Sequence, residues 1–259
     1  MNVDVQSPME VDAVSGGRSA EMLQEAPGAM LLHSACVGDV ESIHACMSAG
    51  YCDVDQTDAF GRSALHWAVE RGHVGVAEVL ITNYHATLDI LTNDSESPLM
   101  LAVLANRVDM VRLLLSYGAY LQHTNKDGAS ALHLAAAGGN LEIVRELIAH
   151  GAWIELEDSE GESPLFYAIR ESHAAIVQAL LEAGANPSHP NNDKDTPISL
   201  ASECLSPRDT VYANILRLLR SVSANLPQRQ NLLEPFTRVE SRSFGSSSGN
   251  LCGFLTKTI

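Results

Sequence analysis

Aromatic side chains are scarce in this 259-residue chain, at 5% of residues. That scarcity argues against a large aromatic-lined pocket. It favours a core of Leu, Ile, Val and Ala between closely packed helices. Long apolar runs are also missing: the longest, Leu99 to Ala105, falls far short of the ~20 residues a membrane helix needs. Residues 1–20 hold Asp4, Glu10 and Asp12 with neither a basic start nor an apolar stretch, so no secretory signal is expected. Cysteine is sparse and odd in number. Cys36, Cys46, Cys52, Cys204 and Cys252 show no CxxC spacing, which excludes a zinc ribbon and points to a reduced, cytoplasmic or nuclear setting.

Basic residues are few as well: 16 Lys and Arg stand against 32 Asp and Glu, a formal charge of −16. Residues 1–29 hold five acids and one base, and residues 226–259 hold two acids and four bases. The remaining 25 acids and 11 bases lie between, leaving residues 30–225 at −14. Non-specific nucleic-acid binding depends on cations that neutralise phosphates, so this centre excludes it. A basic protein partner is the natural complement.

Catalytic motifs are missing in the same way. There is no G-x-x-x-x-G-K-S/T and no H-E-x-x-H. Gly245-Ser246-Ser247-Ser248-Gly249 spells G-x-S-x-G, but its flanks offer no strand-to-helix turn to hold a nucleophile. No catalytic residue, metal or cofactor is therefore assigned, and an enzyme with an unrecognised site is kept only as a distant alternative.

What the chain does have is a recurring phrase. Ser63-Ala64-Leu65-His66, Ser97-Pro98-Leu99-Met100, Ser130-Ala131-Leu132-His133, Ser163-Pro164-Leu165-Phe166 and Thr196-Pro197-Ile198-Ser199 follow one another at steps of 34, 33, 33 and 33. Such a period means stacked units rather than one globular core. Ser or Thr opens each unit as a helix N-cap, and Pro98, Pro164 and Pro197 sit where a missing N–H costs nothing. Gly138-Gly139 ends a first helix. Leu141, Val144, Leu147 and Ile148 make the apolar stripe of a second. Gly50, His85, Gly118, Gly151, Gly184 and Ser223 then fall at its C-terminal turn.

The S/T-P/A-L-H-x-A opening, the G-H/N-x-E-I-V bridge and the L-L-x-x-G-A ending resemble ankyrin repeats. The resemblance implies an all-α fold: an ankyrin-repeat α-solenoid of antiparallel helix pairs joined by outward hairpins, with a concave face. It covers residues 28–225 as six repeats, at about 28–57, 58–92, 93–125, 126–158, 159–191 and 192–225. Residues 1–27 and 226–259 read as flexible tails. The first repeat lacks the opening phrase and suits a cap. His33 is a false match there, because one extra residue near Tyr51-Cys52 shifts the register. In the sixth, six inserted residues around Pro207 lengthen the loop between its helices.

His66 and His133 are read as structural imidazoles bonded to neighbouring loop backbone. The resemblance places ligand contacts at the hairpin tips and inner helices. The candidate partner-binding residues are Phe60, Arg62, Glu70, Arg71, Asp94, Glu96, Leu104, Lys126, Asp127, Glu160, Glu162, Arg170, Glu171, Asp193 and Asp195. Leu104, Ala105, Ala137 and Gly138 form a small apolar floor between charged walls. Tyr120 and Trp153 stand where most such repeats carry Asp, either as a second aromatic contact site or as a cover for the loop base, the reading preferred here. The resulting expectation is a monomeric, non-catalytic adaptor that binds a basic protein segment, without nucleic acid or membrane. A regulatory inhibitor masking a transcription regulator or another basic target is the rival within the same architecture.

Overall fold

The computed structural model describes residues 27–50, 52–204 and 210–224. The chain divides after Ser223, and the first unit carries the architecture. The expected tails, the extra residue near Tyr51, the insertion around Pro207 and the Gly245–Gly249 motif lie outside the described residues.

Among the described residues there are twelve helices: α1 (Pro27–Val37), α2 (Val40–Ser48), α3 (Ala64–Arg71), α4 (Val74–Tyr84), α5 (Pro98–Leu104), α6 (Val108–Ser116), α7 (Ala131–Gly138), α8 (Leu141–Ala149), α9 (Pro164–Arg170), α10 (Ala174–Glu182), α11 (Pro197–Glu203) and α12 (Thr210–Ser223). Odd-numbered helices pack on odd and even on even, giving an inner row, α1 to α11, and an outer row, α2 to α12. Extended pairing among these residues is limited to isolated bridges, Thr57 with Ser63 and Thr124 with Ser130, at the hairpin necks.

The inner helices after α1 start as the phrase dictates. Ser97 accepts a hydrogen bond from the Met100 N–H at 3.3 Å, and Pro98, Pro164 and Pro197 occupy the first helical turn. The outer helices end in left-handed residues: Gly50, His85, Gly118, Gly151 and Gly184 all have positive φ. At Ser223 the helix instead runs on to its last residue. The core is continuous along the stack and is built from small and branched residues such as Leu65, Leu99, Leu132 and Leu165. Full burial of one such leucine contributes roughly 1.5–3 kcal/mol, and each serves the repeats on both sides of it.

Hairpin tips are joined by a ladder of backbone bonds. The N–H groups of Asn93, Lys126, Ser159 and Asn192 donate to the carbonyls of Phe60, Asp94, Asp127 and Glu160, at 2.9, 3.2, 3.0 and 3.0 Å. Within each tip, one side-chain oxygen accepts from the N–H groups two and four residues on. Asp58, Asn125, Asp158 and Asn191 do this at 2.8–3.1 Å, and Thr92 does it more loosely, at 3.3 and 3.2 Å. These side chains pre-shape the turn and are not free to bind a ligand.

Candidate functional site

The histidines of the opening phrase are structural. The Ser130 N–H donates to His133 Nδ1 at 3.1 Å, which leaves the other ring nitrogen protonated, and His133 Nε2 donates to the Glu162 carbonyl at 3.0 Å. His66 Nδ1 accepts from Ser63 in the same way, at 3.1 Å. Its buried Nε2 makes no hydrogen bond of normal geometry among the described residues, although the Glu96 backbone lies near enough to act on the ring, at the one step where the repeat is 34 residues long rather than 33. Burial drives the His66 pKa down to about 4 and lowers that of His133. His33 is exposed, unlike both.

In two of the units the residue before the phrase pairs with the residue seven past its start. In the second unit Arg62 and Glu70 pair at 2.6 Å. In the fifth the charges are exchanged, and Arg170 holds both carboxylate oxygens of Glu162 at 2.7 and 2.9 Å. Glu162 is only 4% exposed, so its place among the partner-binding residues is corrected: its carboxylate is spent on Arg170. An aromatic ring supports each pair. Trp67 Nε1 donates to Asp58 at 3.2 Å and lies under Arg62, while Tyr167 donates to Asp158 at 2.7 Å. Arg71 also reaches over Trp67, at 5.9 Å from the ring centroid.

Between these two units the same positions hold no cation. Glu96 is half-buried, and no side-chain hydrogen bond or ion pair engages its carboxylate. Burial first, and then the neighbouring Asp94, raises its pKa. The position that would supply its partner is Leu104, 53% exposed. In the next unit both positions are alanine, Ala129 and Ala137. A cavity of about 330 Å³ opens here, lined by Leu104, Ala137 and Gly138 with Leu134 and Glu171. Ala105, also expected on the apolar floor, does not line it.

At the tips, Lys126 pairs with Asp94 at 2.8 Å, so one cation of the edge is already matched. Asp127, Glu160, Asp193 and Asp195 are exposed, and no ion pair among the described residues engages them. Phe60 is 69% exposed and does not fold back onto the next hairpin. Glu171 is exposed at the end of α9. On the other side of the hairpins, Tyr120 and Trp153 are 51% and 59% exposed. Tyr120 meets His123 edge-on rather than Trp153, and Trp153 roofs a separate cavity of about 660 Å³ with Ile154 and Leu156.

Among the described residues no group of His, Cys, Asp and Glu could hold a metal ion. No helix there is long and apolar enough to cross a membrane. The Cys46 thiol is pushed up by burial and by its contact with Cys52, away from nucleophilic use.

The sequence pattern described as "Ankyrin repeats (3 copies)" matches residues 31–125 and 119–191. The chain belongs to the ankyrin-repeat family. Two curated ankyrin relatives, both "Ankyrin repeat domain-containing protein 53", come from Macaca fascicularis and Homo sapiens. Each is 35% identical over 72 residues, which is 28% of this chain and 14% and 13% of theirs. "Acyl-CoA-binding domain-containing protein 1" of Arabidopsis thaliana is 46% identical over 44 residues, 17% of this chain and 13% of that protein. The chain thus matches about an eighth of the length of each relative. As an ankyrin-repeat protein it is a protein–protein interaction module.

Two features of the site escaped sequence reasoning. One is the closure of Glu162 by Arg170, although the exchanged pair Arg62 and Glu70 carried the signal. The other is the lack of an ion pair at Glu96, which the register exposes once the position eight residues on is read as Leu104.

Proposed function

We propose that this ankyrin-repeat protein is a monomeric, non-catalytic adaptor of the cytoplasm or nucleus that captures a basic protein segment on its hairpin tips and inner helices. The observation that carries the reading is the unpaired acidic edge of Asp127, Glu160, Asp193 and Asp195, set in a repeat region of net charge −14. Exposed carboxylates without cations attract a basic partner over a Debye length of about 8 Å at physiological salt. They steer its arrival more than they tighten its final grip. The apolar floor beside them supplies a short-range contact that salt does not weaken.

The test is a charge reversal of Glu160, Asp193 and Asp195 to Lys, read by capture of lysine- and arginine-rich peptides at low and high salt. Capture should fall at least tenfold in the variant, and in the parent it should fall with salt. Capture indifferent to both changes would sink the proposal. Glu162 is left out because reversing it breaks a buried pair and confounds binding with stability.

A further inference from the structure

We propose that the groove between α5 and α7 seats an aliphatic side chain of the partner segment, while a lysine or arginine beside that side chain completes an ion pair with Glu96. The proposal rests on the acidic-face reading and narrows it to one register.

One pair of positions recurs along the inner row. In the second and fifth units the pair is closed, as Arg62 with Glu70 and as Glu162 with Arg170. Either order of charge is thus accommodated by the same geometry. In the third unit the acid is kept but its cation is replaced by Leu104, which stands 53% exposed. Glu96 is half-buried, and burial disfavours its charged form; the field of Arg62 offsets this only in part, because Arg62 is already paired with Glu70.

Next to that position lies the aliphatic seat. Leu104 belongs to both features, since it holds the position that Arg170 occupies in the fifth unit and lines the cavity with Ala137 and Gly138. A β-carbon built on Gly138 meets nothing within 4 Å, so the floor is open where a side chain would enter. The occupant is therefore a segment carrying both a cation and an aliphatic residue. A purely basic stretch would leave the cavity wet, and a purely apolar one would leave Glu96 unpaired.

Two substitutions close the site from within and leave the fold intact. Leu104→Arg supplies the missing cation in the manner of Arg170. Gly138→Leu fills the cavity and replaces a helical glycine. The probe is a random 12-residue peptide library displayed on phage and selected on the full chain, with enriched peptides then titrated by fluorescence anisotropy. Enriched sequences should carry Lys or Arg at a fixed spacing from Leu, Ile, Val or Met. Their affinity should fall at least tenfold in Leu104→Arg and in Gly138→Leu, with thermal midpoints unchanged or raised. Glu96→Gln should remove the preference for a cation and keep that for the aliphatic residue.

Peptides that bind both closed variants as well as the parent overturn the proposal. Basic peptides that respond only to reversal of Glu160, Asp193 and Asp195 overturn it too, while sparing the broader acidic-edge reading. A selection with no basic enrichment removes both. Self-association of the parent that is lost in Leu104→Arg assigns the groove to a second copy and likewise refutes the proposal.

Discussion

Arg170 reaches back eight residues to Glu162 and holds both of its carboxylate oxygens, at 2.7 and 2.9 Å. The acid is buried and the base is about half exposed. Removing the base therefore strands a desolvated charge, whereas removing both costs much less. Arg170→Ala should lower stability by roughly 1–3 kcal/mol, scaled down from a fully buried pair because the guanidinium is partly solvated. The exchanged double variant Glu162→Arg with Arg170→Glu should recover at least half of that loss, because Arg62 and Glu70 hold the same positions in that order. Urea unfolding of the parent, Arg170→Ala and the double variant measures both numbers.

Acid should unfold the stack earlier than carboxylate chemistry alone would require. The folded-state pKa of His66 is about 4, below the ordinary 6.5, because burial disfavours the imidazolium. The unfolded chain therefore binds the proton first as pH falls. The contribution is fully present above pH 6.5 and is lost progressively down to about pH 4. A shift of this size corresponds to about 3 kcal/mol. His133 acts in the same direction. Denaturant midpoints taken between pH 7.5 and 4.5 should fall, and the fall should be smaller in His66→Gln.

Left-handed turn positions divide into two kinds. At Gly128, φ is +79° and an added β-carbon would lie 2.6 Å from the backbone nitrogen of Ser159 in the next tip. Lys194 holds the equivalent position in the last tip, at φ +70°. Gly128→Ala should cost more than about 1 kcal/mol, since both conformation and space oppose it. Lys194→Gly should be neutral or stabilising by up to about 1 kcal/mol. Thermal melts of the two variants should move in opposite directions or, at the least, differ clearly in size.

Phe166 fills the place that His66 and His133 occupy in sister repeats, and it is 1% exposed. Its ring is held by packing alone, so Phe166→Ala should cost roughly 3–5 kcal/mol. Because each unit touches only its neighbours, the loss should be local at first. Hydrogen exchange should quicken in α9 to α12 before it changes in α3 to α6. Uniform acceleration along the whole stack would contradict nearest-neighbour coupling.

The stack was legible because its determinants are local and repeat. Ser97 before Pro98, Gly139 after Gly138 and Leu132 beside Ala131 each state a cap, a stop or a core position within one unit. The site was less legible because its determinants are comparisons across units. Glu160 and Glu162 look alike in sequence, yet one is exposed and the other is buried under Arg170. Only the distance spanned by α9 separates them. Glu96 looks like either one. Its unpaired state follows from Leu104, eight residues away, and becomes visible when three units are laid side by side. Thr92 marks the same limit, taking the turn-forming role of Asp58 with a hydroxyl in place of a carboxylate.

The ladder of tips has a direction. Every rung runs from the N–H of a later tip to the carbonyl of the one before it. The described ladder thus begins at the carbonyl of Phe60, and Asp193 holds the matching acceptor in the last tip. Lengthening by duplication needs only a new donor laid on Asp193, with no change to the turns already in place. Insertion between two tips has to satisfy a donor and an acceptor at once. Among the described residues the array is polar in its hydrogen bonds, with an open donor at one end, an open acceptor at the other and an interior in which both are taken.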